Sequence, residues 1–87
     1  PLPHMGWNSV NHIEGNPLFK DIKSNSRFYF LHSYYFKPLS KEYSVASAEY
    51  GDKFTCATSL DNIFGVQFHP EKSHHNGMQL LKNFSNL

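Results

Sequence analysis

His69 and Glu71 stand two residues apart in the string Phe64-Gly65-Val66-Gln67-Phe68-His69-Pro70-Glu71-Lys72-Ser73. The pair has the makings of a proton-transfer unit. An imidazole whose Nδ1–H is held by a carboxylate presents a basic Nε2, the arrangement that activates a hydroxyl or thiol nucleophile. The elements needed to position the two groups surround them. Ile63 to Phe68 is an apolar run that reads as a buried strand. Pro70 stops it, because proline brings no N–H to a ladder and biases His69 towards an extended backbone. Imidazole and carboxylate are thereby delivered to a strand end, where the sites of α/β sheets lie. The same two residues taken alone also describe an ordinary surface turn.

A base of this kind needs a nucleophile, and the chain has one thiol, Cys56, in Lys53-Phe54-Thr55-Cys56-Ala57-Thr58. No glycine flanks it and its neighbours alternate like a strand, so it reads as a small buried residue. The sharp glycine-flanked turn that exposes a nucleophile is not written there. Six histidines raise the question of a metal. His74 and His75 are adjacent and diverge on a helix or a strand. No Cys-x-x-Cys or His-Glu-x-x-His spacing occurs, so no metal site is expected.

Eighty-seven residues suffice for at most one small domain, marginal on its own core. Hydrophobic content of 39%, with 16% aromatic, is too rich for a disordered segment. A formal charge of +1 leaves no basic stripe, so nucleic acid and anionic membrane are poor partners. No run reaches membrane-spanning length and nothing resembles a signal or transit peptide. One cysteine excludes an internal disulfide framework and fits a reducing compartment, with the cytoplasm as the expected location.

Along the chain, Pro1 to Asn8 reads as a loop entering a short strand at Trp7 to Val10. Asn16-Pro17-Leu18-Phe19 opens a helical turn. The run Phe28 to Phe36 is almost continuously aromatic or apolar, which predicts a strand covered on both faces. Within it His32 reads as a hydrogen-bonded core histidine. Ser44 to Tyr50 and Phe54 to Ser59 form a hairpin about Gly51-Asp52, and Asp61-Asn62 turns the chain into the strand carrying His69. From about Asn76 the period becomes helical: Met78, Leu81 and Phe84 make a stripe that Leu80 and Leu87 widen, with Ser73 or Asn76 as N-cap. Five strands and a terminal helix result.

The ten-residue string resembles the C-terminal signature of the class I (triad-type) glutamine amidotransferases. That resemblance implies an α/β architecture: residues 1–87 as the C-terminal half of a flavodoxin-like domain, with part of a mixed sheet and the terminal helix. It further implies glutamine as substrate, no cofactor, and His69 and Glu71 as two members of a catalytic triad. The family's nucleophile lies in a Gly-x-Cys-x-Gly turn that this sequence lacks, so these residues alone are expected to be inert. Pro3-His4-Met5-Gly6-Trp7-Asn8, His32-Ser33-Tyr34 and Lys72-Ser73 are similar to the branch of the family serving histidine biosynthesis. There the resemblance implies that the backbone of Ser33 and Tyr34 holds the substrate. It also implies that Met5, Trp7, Asn8 and Lys72 face a (β/α)8 cyclase partner. A paralogue feeding another synthase, and a half-domain that only docks, remain the alternatives.

Overall fold

The computed structural model describes residues 4–32, 41–60 and 63–87, with the side chains of His4 and His32 left aside. Six strands follow one another: β1 (His4–His12), β2 (Ser26–His32), β3 (Ser44–Tyr50), β4 (Asp52–Leu60), β5 (Ile63–Val66) and β6 (Phe68–His69). One helix, α1 (His74–Ser85), comes after them, and single 3-10 turns lie at Pro17–Phe19, Lys41–Tyr43 and Pro70–Lys72. The sheet order is β5-β4-β3-β1-β2-β6.

Every pairing among the described strands is antiparallel. The mixed sheet expected above is therefore not what these residues build. Parallel neighbours need a crossover of a dozen or more residues, usually a helix. The one α-helix described follows the last strand instead of linking two.

The apolar run Ile63 to Phe68 forms two strands, not one. β5 pairs with β4 at one edge of the sheet and β6 pairs with β2 at the other. Gln67 alone separates them, its N–H donating to the Cys56 carbonyl at 2.8 Å. Five spacings of ~4.8 Å would hold the edges of a flat sheet ~24 Å apart. The sheet must curl into a nearly closed barrel. Ring contacts agree. Phe30 on β2 and Phe54 on β4 are three spacings apart, ~14 Å on a flat sheet. Their centroids lie 5.9 Å apart, edge to face. Phe68 joins them, 5.7 Å from Phe30 and 4.4 Å from Phe28. Val10, Val45, Ala46, Ala48 and Cys56 complete the interior with Leu18, Phe19 and Leu80. Each fully buried large side chain stabilises by about 1.5–3 kcal/mol.

Local chemistry accounts for most boundaries. β1 begins at His4, earlier than the loop expected up to Asn8, because it pairs with β2 from His4↔His32 onward. The β3–β4 hairpin turns at Gly51, whose φ of 78° only glycine adopts without strain. Asn16 caps the turn at Pro17–Phe19 by accepting the Leu18 N–H at 3.0 Å. β2 is one-sided, contrary to the expectation of cover on both faces: Phe28 and Phe30 are buried, Arg27 and Leu31 exposed. Residues 33–40, the rest of that aromatic run, and the turn at Asp61-Asn62 lie outside the described residues.

The helix has the expected period, but of the expected stripe it buries only Leu80. Gly77, Leu80 and Asn83 face inward, whereas Met78 is 71% exposed and Leu81, Phe84 and Leu87 are also exposed. Pattern reading passes over Asn83 because it is polar. Its amide is a clamp: Nδ2 donates to the Leu18 and Lys20 carbonyls at 2.9 and 2.7 Å, and Oδ1 accepts from Gln79 Nε2. Ser73 occupies the N-cap position without making the cap bond, its hydroxyl being used elsewhere. Removing a buried double donor strands two carbonyls, so Asn83→Ala should cost about 1–3 kcal/mol. Urea unfolding of the chain measures this; a cost below about 0.5 kcal/mol, the range of neutral surface changes, would show that the clamp holds nothing.

Candidate functional site

β6 ends at His69 with φ −102° and ψ 100°, extended as the following proline requires. Pro70 then opens a 3-10 turn, Pro70–Lys72, closed by the Ser73 N–H on the Pro70 carbonyl at 3.0 Å. The turn swings Glu71 back over the imidazole. Nδ1 of His69 lies 3.0 Å from Oε1 of Glu71. With Nδ1–H donating to the carboxylate, the lone pair falls on Nε2, and the ring is ready to take a proton there. The His69 side chain is 38% exposed and that of Glu71 64%, so the pair stands at the surface.

The outer face of the barrel extends around it. Cross-strand partners share a face, and Trp7↔Tyr29 and Tyr29↔His69 therefore place Trp7, Tyr29 and His69 side by side outside the barrel. Met5 and Leu31, also partners, extend the same surface and are exposed. Trp7 meets the Tyr29 ring edge-on at 5.9 Å and the His74 ring at 5.2 Å. Lys72 Nζ lies 6.0 Å above the Tyr29 ring, at cation–π distance. Tyr29 thus links Trp7, Lys72 and His69, a role that sequence reasoning missed. The available signal was its alternation with buried Phe28 and Phe30, which turns it outward. Asn8 is placed differently from Met5, Trp7 and Lys72: half-buried, it donates from Nδ2 to the Glu49 carbonyl at 2.6 Å. Ser33 and Tyr34 lie outside the described residues.

Cys56 is fully buried on β4 and plays no part in this surface. Desolvation pushes its thiol up to about 12, opposed in part by a backbone hydrogen bond. A thiolate is correspondingly disfavoured there. Among the described residues no three His, Cys, Asp or Glu side chains converge as a metal-ligand set. No described helix is long and apolar enough to cross a membrane.

Comparison with known proteins bears on this arrangement directly. A family profile described as "Glutamine amidotransferase class-I" matches residues 1–86. The chain is 55% identical over 85 residues to the imidazole glycerol phosphate synthase subunit HisH of Bdellovibrio bacteriovorus, covering 98% of this chain and 42% of that protein. Identity to the HisH subunit of Leptospira borgpetersenii is 54% over 86 residues, 99% of this chain and 42% of the relative. For subunit HisH 2 of Pseudomonas aeruginosa it is 54% over 86 residues, 99% and 43%. The chain spans about two fifths of the length of the curated relatives it matches.

The burial of Cys56 has a measurable consequence. In the unfolded chain the thiol titrates near its ordinary value of 9.0, in the folded chain near 12. Between those values the unfolded state has lost a proton that the folded state keeps, so stability falls as pH rises. The contribution is whole below about pH 9 and is lost on the way to about pH 12. Alkaline unfolding curves should show that loss, and Cys56→Ala should remove it. At pH 8 the folded thiol should resist iodoacetamide until denaturant is added; rapid labelling of the folded chain would contradict its placement.

Proposed function

The chain belongs to the class I glutamine amidotransferases, and from that premise we propose that residues 1–87 form the C-terminal part of one flavodoxin-like glutaminase domain. The observation that carries this reading is the 3.0 Å contact between His69 Nδ1 and Glu71 Oε1 at the end of β6. It supplies the base and its orienting acid, the two later members of a nucleophile-His-acid triad. The nucleophile, a cysteine in a glycine-flanked turn, belongs to the remainder of the domain; Cys56, buried and protonated, does not substitute for it. The exposed stripe of Met78, Leu81 and Phe84 on α1 is apolar surface suited to cover by that remainder. A single buried thiol suits a reducing cytoplasm.

The substrate of this reading is glutamine. His69 Nε2 takes the thiol proton as sulfur attacks the side-chain amide carbon, then returns it to the departing nitrogen as the C–N bond breaks. Ammonia leaves and a thioester remains, which water attacks with the same imidazole as base, releasing glutamate. Glu71 holds the tautomer and stabilises the imidazolium. The backbone of Ser33 and Tyr34 is proposed to hold the amino-acid end of glutamine. Met5, Trp7 and Lys72 on the outer face, with Asn8 bracing β1 against β3, are proposed to meet a (β/α)8 cyclase that consumes the ammonia. The likeness to histidine-pathway synthase subunits supports that partner.

In the full-length protein His69→Asn should lower kcat for glutamine hydrolysis by about 10²-fold or more while glutamine still binds. Glu71→Gln keeps an acceptor for Nδ1–H and should lose less. Steady-state kinetics with isothermal titration of glutamine reads both, and near-normal turnover in His69→Asn would end the triad assignment.

Lys72 should act on coupling. In the assembled synthase Lys72→Ala should raise the ratio of glutamate formed to synthase product formed, with the chemistry at His69 less affected. An unchanged ratio and unchanged partner affinity would make Lys72 a bystander, as most exposed lysines are.

A further inference from the structure

The hold on His69 is to be found in its backbone contacts, since its ring is open to solvent and its carboxylate partner more so. β6 is two residues long and meets β2 through Tyr29↔His69 and Phe30↔Phe68 alone. Two pairs make a short ladder for a group that must stay in register with a nucleophile on another part of the fold. Ser73 reinforces it. The residue is 1% exposed. Its Oγ–H donates to the His69 carbonyl at 2.6 Å while the same oxygen accepts the Tyr29 N–H at 2.9 Å. One hydroxyl thus stitches β6 to β2 at the level of His69. Ser73 gives up the helix-capping bond open to it at that position in order to do so.

Gly77 explains how the hydroxyl reaches that point. A Cβ built on Gly77 would run into the carbonyl oxygen of Pro70, with the Pro70 carbonyl carbon and Ser73 Cβ as the next obstacles. The obstacle is backbone, so it cannot swing aside. The same Pro70 carbonyl accepts the Ser73 N–H at 3.0 Å, and the Gly77 N–H donates to the Ser73 carbonyl at 3.2 Å. The first turn of α1 is seated directly on the Pro70-Glu71 peptide, one residue beyond His69.

We propose that Ser73 is the positioning residue for His69, and that Gly77 provides the clearance by which α1 carries Ser73 to its place. The proposal rests on the glutaminase reading of the preceding subsection. It assigns Ser73 no contact with substrate; the hydroxyl acts through the His69 backbone. Loss of the stitch frees the end of β6 to drift, and a misplacement of ~1 Å at a reacting group costs ~100-fold in rate. A purely structural role is separable because a second side chain anchors the same helix turn without touching His69. Asn76 Nδ2 donates to the Arg27 carbonyl at 2.9 Å.

The experiment is steady-state glutamine hydrolysis by the full-length protein bound to its partner, with thermal unfolding of each variant. Ser73→Ala should lower kcat by about 10- to 100-fold with KM within about twofold. Ser73→Thr, which keeps the hydroxyl, should recover most of that loss. Asn76→Ala should lower the Tm and leave kcat unchanged. A folded Ser73→Ala with wild-type kcat overturns the proposal, and so does an equal loss of kcat in Asn76→Ala, which would assign the effect to helix docking. Should Ser73→Ala fail to fold, Ser73→Cys, similar in volume and a weaker donor, is judged by the same criteria. His69→Asn separates the two levels of inference. If it leaves hydrolysis intact the glutaminase reading falls; if it abolishes hydrolysis while Ser73→Ala does not, only the positioning role falls.

Discussion

A single residue, Gln67, joins the two edges of the sheet, and much of the rest follows from that connection. β5 and β6 sit at opposite ends of the strand order, yet nothing but this residue lies between them in the chain. The sheet has to curl until its edges meet. Curling draws Phe30, Phe54 and Phe68 towards one centre and turns their strands' alternate residues outward. It also presses the end of β6 against β2, which is how His69 comes to stand beside Tyr29. Closure has a protective side as well, since free strand edges invite pairing with other chains.

Inside and outside are therefore two consequences of one geometry. Side chains alternate with a period of two along a strand. Once Phe28 and Phe30 are committed to the interior, Tyr29 is committed to the surface, and its cross-strand partners Trp7 and His69 with it. The proton-transfer pair and the aromatic patch share a face because the core occupies the other one. Lys72, two residues after Pro70, then falls over Tyr29 as the 3-10 turn winds.

What could be read from the sequence was what is local. His69, Pro70 and Glu71 carry their arrangement within three residues, so the contact is legible once the whole string around them is read. The hairpin about Gly51, the capped turn at Asn16-Pro17 and the period of the helix are local in the same sense. Sheet topology is not. Whether Ile63 to Phe68 is one strand or two depends on strands β2 and β4, nineteen residues apart in the chain, and no window over six residues contains them. The helix shows a second limit. Of the apolar stripe Met78-Leu81-Phe84 with Leu80 and Leu87, only Leu80 is buried, and its companions facing inward are Gly77 and Asn83. Hydrophobicity could not rank a glycine chosen for closeness or an asparagine chosen for its two N–H groups. Ser73 likewise looked like a helix cap because position and residue type favoured it, while its actual partners lie on β2 and β6.

The Asn83 clamp sets an order of events during synthesis. Its partners, the carbonyls of Leu18 and Lys20, precede it by 65 and 63 residues. A ribosome adds roughly 5–20 residues per second, so Leu18 waits roughly 3–13 s for the amide that will hold it. Throughout that interval Leu18 and Phe19 have no helix to lie beneath. The nascent chain must pass through a stage in which that apolar surface lies open to solvent.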